Sequence, residues 1–164
     1  MEINKCSYFF DVPIETFEKS KKEAEDIIFG KPENRIKCRL AVNMFKDLLD
    51  VLDISYITIE NRMHDSGDML VSKMKIPVDV KYISQSDRLI IKDEHFNGTE
   101  RMYVVVRFDE NNKVAEMKCM NSKEIRENGK IDRKIVEPNI EIDFSLLHPI
   151  SELIEHINKN EEVF

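Results

Sequence analysis

A chain of 164 residues, 41% of them apolar, is long enough to bury a core as one domain without disulfides or a structural metal. Its formal charge of −7 and isoelectric point near 5.2 argue against a stand-alone nucleic-acid binder, because affinity for a phosphate backbone comes from clustered Lys and Arg. Cys6, Cys38 and Cys119 lie far apart with no Cys-x-x-Cys spacing, and no apolar run is long enough to cross a bilayer, so the expectation is a cytoplasmic unit with reduced, buried thiols and no membrane partner.

One domain is expected over residues 1–164, with a helical part at 1–54, a sheet at 55–125, and a connector with a last helix at 126–164. Residues 1–10 suit an opening strand, and Asp11-Val12-Pro13 a helix start, since proline is tolerated in the first turn. Ile14, Phe17, Ala24, Ile27 and Ile28 recur at helical spacing before Gly30 and Pro32 stop the run. From about Asn34 to Leu52, Leu40, Ala41, Met44, Phe45, Leu48, Leu49 and Leu52 fill more than one stripe, which predicts a second helix buried on most of its circumference.

Ile54 to Glu60 then switches to period two, and a polar loop from Asn61 delivers the chain to Gly67. Residues 67–83 read as two short strands separated by a polar interruption. In the second, Val78, Val80 and Tyr82 point one way while Asp79 and Lys81 point the other. Arg88 to Lys92 is a short strand, and Asn97-Gly98 marks a reversal. The run Met102-Tyr103-Val104-Val105-Val106 suits a strand covered on both faces. Lys113 to Met120 returns after a turn, Asn121 or Ser122 caps a short helix that Gly129 closes, and a polar connector follows. Ile140, Ile142 and Phe144 alternate as a late strand, and Pro149 opens a last helix with Ile150, Leu153, Ile154 and Ile157 on one face. The sum is an α/β (α+β) fold: a mixed, mainly antiparallel sheet flanked by two N-terminal helices and one C-terminal helix.

The order of a helix pair, a strand, Gly67-Asp68, Val78-Asp79-Val80-Lys81 and then Tyr103-Val104-Val105-Val106 resembles the PD-(D/E)xK nuclease-like superfamily over roughly residues 34–124. That resemblance implies that Asp68 and Asp79 hold one or two divalent cations and that Lys81 is catalytic, positioning or activating the attacking water. The chain departs from the pattern in having no acid in the middle of the second helix and in placing Pro77 just before the second acid. A longer resemblance, almost end to end, is to an uncharacterised cyanobacterial family of small proteins. Tyr8-Phe9-Phe10-Asp11-Val12-Pro13, Leu40-Ala41-Val42, Val78-Asp79-Val80-Lys81-Tyr82 and Arg101-Met102-Tyr103-Val104-Val105-Val106 carry it. That family looks like a diverged relative of the nuclease-like fold, often with Arg where Lys81 stands, and implies no activity.

Two neighbouring carboxylates repel, so they stay ionised together when a cation such as Mg²⁺ lies between them. A bound metal would lower the pKa of a water, and Lys81 would stabilise charge developing on a phosphate. Acid-x-Lys also occurs at Glu116-Met117-Lys118 and Asp132-Arg133-Lys134, so only the position after Gly67-Asp68 on a strand singles out Asp79 and Lys81; the plainer reading is a solvated strand face. His64 beside Asp65 is a loop candidate for a general base, while His95, His148 and His156 show no ligand spacing. Arg35, Lys37 and Arg39, and later Lys123, Arg126, Lys130, Arg133 and Lys134, form two loose basic groups without interleaved aromatics. The expected function is therefore that of a small intracellular accessory or regulatory protein that binds another protein and needs no cofactor. The alternative is a Mg²⁺-dependent nuclease using Asp68, Asp79 and Lys81, the one reading that brings in nucleic acid.

Overall fold

A computed structural model describes residues 9–27, 30–59, 67–84, 87–92, 100–132 and 139–162. In chain order the elements are β1 (Phe9–Asp11), α1 (Ile14–Ala24), α2 (Pro32–Val51), β2 (Tyr56–Ile59), β3 (Gly67–Val71), β4 (Val78–Ser84) and β5 (Arg88–Lys92). They continue with β6 (Met102–Phe108), β7 (Val114–Asn121), α3 (Ser122–Asn128), β8 (Lys130–Asp132), β9 (Asn139–Asp143), a 3₁₀ turn (Phe144–Leu146), β10 (His148–Pro149) and α4 (Ile150–Glu162). The strand order of the large sheet is β1-β7-β6-β4-β3-β2, with β10 also pairing with β7. β4 and β6 run parallel, and the other pairs are antiparallel. The α+β class and the mixed sheet follow the expectation, but there are two sheets instead of one: β5-β9-β8 forms a separate antiparallel layer.

The alternation of β6 explains this layering. Val104 and Val106 point into a core built with Leu40, Met44, Phe45 and Leu48 of α2 and Ile150, Leu153 and Ile157 of α4. Tyr103 and Val105 point the opposite way, into a second core with Leu89, Ile91, Ile125, Ile140, Ile142 and Phe144. The strand is buried on both faces, as its continuous apolar run requires. Part of the supposed polar connector is β8, which pairs Ile131 with Ile140. Gly129 sits at the close approach between α3 and β9, where an added Cβ would lie 2.5 Å from Ile140 Cγ2 and 2.7 Å from the Ile125 carbonyl oxygen. Among the described residues no helix is long and apolar enough to cross a membrane.

α1 departs most from its apolar pattern. Ile14 is 81% exposed, and the buried stripe is Thr16, Ser20 and Ala24. The reason lies in what α2 presents: Thr16 donates to Asp47 Oδ2 at 2.6 Å, and buried Asn43 donates to Ser20 Oγ at 2.9 Å and to Glu23 Oε2 at 3.2 Å. Arg39 adds donors from Nε at 2.9 Å and Nη2 at 2.7 Å to the same Glu23 oxygen. The helices meet through a polar seam that apolar periodicity cannot reveal.

Burial opposes ionisation of Glu23, but hydrogen bonds from Arg39 and Asn43 and the charges of Arg39 and Lys19 outweigh it and hold its carboxyl below the usual range. A depressed carboxylate contributes stability above its unfolded pKa and loses it as pH falls through the folded value, below about 4.3. Amide exchange in α1 should therefore accelerate on acidification before that of β6, and Glu23→Gln should flatten this dependence. Gly129→Ala should destabilise the fold by about 1–3 kcal/mol in urea unfolding, because one of its close neighbours is backbone and cannot give way.

Candidate functional site

β4 delivers Asp79 and Lys81 to the face opposite α2, since Val78 and Val80 occupy the core on the other side. This face is not the solvated strand surface expected from the sequence: Asp79 is 1% exposed. The strand lies between β3 and β6, and the parallel register places Asp79 beside Tyr103, which is fully buried. Lys81 Nζ stands 3.4 Å from Asp79 Oδ2, and Arg101 Nη1 stands 3.7 Å from the same oxygen. Both separations exceed a good N–H···O bond, so charge attraction carries these contacts.

Arg101 is the component that sequence reasoning missed. It lies just ahead of β6, and its backbone is fixed twice: its N–H donates to Ser122 Oγ at 3.0 Å, and its carbonyl accepts from the Ser122 N–H at 2.8 Å. Ser122 opens α3, whose capping residue Asn121 accepts from the Glu124 N–H at 2.8 Å. The available signal was a cation directly ahead of the apolar run Met102 to Val106, a position whose partner depends on tertiary structure.

The antiparallel register of β3 and β4 sets Asp68 directly across from Asp79, with Gly67 across from Val80 and Met69 across from Val78. Positions 68, 79 and 81 therefore fall on one face of the sheet. The side chain of residue 68 lies outside the described structure, as do His64, Asp65, His95, Cys6, Ile28, Arg133, Lys134 and the Asn97-Gly98 reversal. Next to position 68 on this face, Ile57 of β2 and Leu70 of β3 are cross-strand partners, 68% and 40% exposed.

The other cations on this face serve the fold. Arg107 reaches Asp87 Oδ1 and Glu116 Oε2, each at 2.7 Å, and lies 4.5 Å from the centre of the Phe144 ring. Lys118 lies 4.7 Å from that centre and donates to the Phe144 carbonyl at 3.3 Å. The second acid-x-Lys tripeptide thus fastens the small sheet to the large one. In the first basic group, Arg35 bonds the Ile27 carbonyl and Arg39 bonds Glu23, so these two hold the α1 segment and do not line a groove. Cys119 is buried, and burial pushes its thiol up to about 12, whereas Cys38 is only half-buried.

Among the described residues, no three His, Cys, Asp or Glu side chains are grouped so as to hold a metal ion. Lys81 and Arg101 both face the same Asp79 oxygen, Oδ2. No family model, curated protein or solved structure matches the chain.

An ion-pair cluster and a metal seat respond oppositely to loss of their acid. Asp79→Asn should lower stability by about 1–3 kcal/mol, because Lys81 and Arg101 lose the charge that compensates them. If repelling carboxylates awaited a cation, the same change would relieve repulsion and the metal-free protein would gain stability. Thermal unfolding in excess chelator distinguishes the two.

Proposed function

We propose that this protein works by binding another protein, as a small intracellular accessory or regulatory chain on a diverged PD-(D/E)xK nuclease-like scaffold. The observation that supports this reading is the pairing of buried Asp79 with Lys81 and Arg101: the chain supplies from its own side chains the positive charge that a divalent cation would otherwise bring. Beside this cluster the exposed Ile57 and Leu70 offer apolar area to a partner, and the net charge of −7 favours one of basic character.

The direct register of Asp68 and Asp79 favours a second reading, Mg²⁺-dependent hydrolysis of a phosphodiester, with both acids as metal ligands and Lys81 near the phosphate. Incubation with DNA and RNA, with and without Mg²⁺, separates the two. The binding reading expects no Mg²⁺-dependent cleavage and no movement of the Asp79 and Lys81 amide resonances on Mg²⁺ addition. Cleavage that Asp79→Ala abolishes would establish the enzyme instead. Under the binding reading, a double variant Ile57→Asp and Leu70→Asp should lose a captured partner while keeping the circular dichroism spectrum of the parent. Capture that survives this variant would place the partner elsewhere.

A further inference from the structure

α3, β10 and α4 meet at one imidazole. His148 stands on β10 opposite Cys119 of β7. Its Nε2 lies 2.6 Å from Glu124 Oε2, in the first turn of α3, and its Nδ1 lies 3.3 Å from Glu152 Oε2, in the first turn of α4. The other Glu124 oxygen accepts from Asn121 Nδ2 at 3.0 Å, so the carboxylate is held in place before the imidazole reaches it. Each ring nitrogen therefore faces a carboxylate oxygen. A neutral imidazole has one N–H and would turn its lone pair on the second carboxylate, whereas the imidazolium donates to both.

We propose that His148 is a proton-operated clasp: charged, it fastens α4 to α3 through Glu152 and Glu124 together, and neutral, it lets one of them go. Other charged groups stand on the same three elements, and His156, one turn beyond Glu152 on α4, is a second titrating imidazole whose resonance the titration follows separately. On β7, the Cys119 thiol is neutral throughout because burial raises its pKa to about 12, and Lys118 turns its ammonium to Phe144. Lys123, Arg126 and Glu127 of α3 and Glu155 and His156 of α4 are exposed to solvent. The hydrogen bond to Glu124 raises the His148 pKa, burial opposes it, and the charges of Glu124 and Glu152 add to the rise. A raised histidine contributes stability fully present below its unfolded pKa, about 6.5, and lost as pH climbs through the higher folded value.

The test is an NMR titration of the imidazoles in the full chain, with His148→Asn to assign the resonance, combined with amide exchange along α4. His148 should titrate above about 6.5, and Glu124→Gln and Glu152→Gln should each lower that value. Exchange at Leu153 to Ile157, corrected for the intrinsic pH dependence, should rise roughly threefold or more as His148 loses its proton, the scale of a charge interaction at a helix end. Glu152→Gln changes an exposed position, so the fold survives it, and it should remove the step in exchange. A His148 pKa at or below the ordinary value, or one insensitive to both glutamine variants, overturns the proposal. So does α4 exchange without a step at the His148 midpoint.

Discussion

The parallel pairing of β4 with β6 is the constraint from which the remaining architecture follows. Seven residues of each strand align, Val78 with Met102 through Ser84 with Phe108. Parallel neighbours cannot be joined by a tight turn, so the chain must leave the sheet and return between residues 84 and 102. On that excursion it forms β5, whose alternating Leu89 and Ile91 need an apolar surface, and the surface at hand is the Tyr103 and Val105 side of β6. The second sheet is thus the crossover's own solution to burial, completed when β9 and β8 add to its edge. Asp79 lies on an interior strand of the large sheet, beside the buried Tyr103.

Polar groups then do what apolar area alone cannot, which is to fix orientation between layers. A hydrophobic contact tolerates sliding, whereas Arg107 held between Asp87 and Glu116 over the Phe144 ring fits one placement of the small sheet. The same logic governs α1, whose buried stripe is Thr16, Ser20 and Ala24 and which is tied to α2 through Thr16, Ser20 and Glu23. A hydrogen bond contributes about 1 kcal/mol net, so this docking is cooperative and individually weak, unlike the burial that holds α2 and α4.

What could be read in the sequence was whatever depends on neighbours along the chain. The crowding of Leu40 to Leu49 gave a helix buried nearly all round, the Tyr103 to Val106 run gave a strand covered twice, and Asn121 with Gly129 bracketed α3. The parity of Val78 and Val80 against Asp79 and Lys81 likewise held. What escaped depends on partners far away in sequence. Nothing local to Arg88 to Lys92 says which sheet it joins, nothing near Ile14 says that α2 offers Asn43 in place of leucine, and nothing at Arg101 names Asp79. The tripeptides Asp79-Val80-Lys81 and Glu116-Met117-Lys118 show the limit most plainly. Similar in chemistry and both on strands, one joins a buried cluster with Arg101 while the other divides its charges between Arg107 and Phe144.

Charge balance gives the acid face its character. Register puts positions 68, 79 and 81 on one side of the sheet, and the α3 junction brings in Arg101. Asp79 then meets two cations, Lys81 from its own strand and Arg101 from just ahead of β6. The buried carboxylate is thus compensated by side chains of the chain itself. Without Arg101, Asp79 would keep only Lys81 of these two cations. The second of those cations is set by the hydrogen bonds of Ser122 and lies outside the motif that draws the eye, so the charge around a strand acid depends on a residue that no local pattern names.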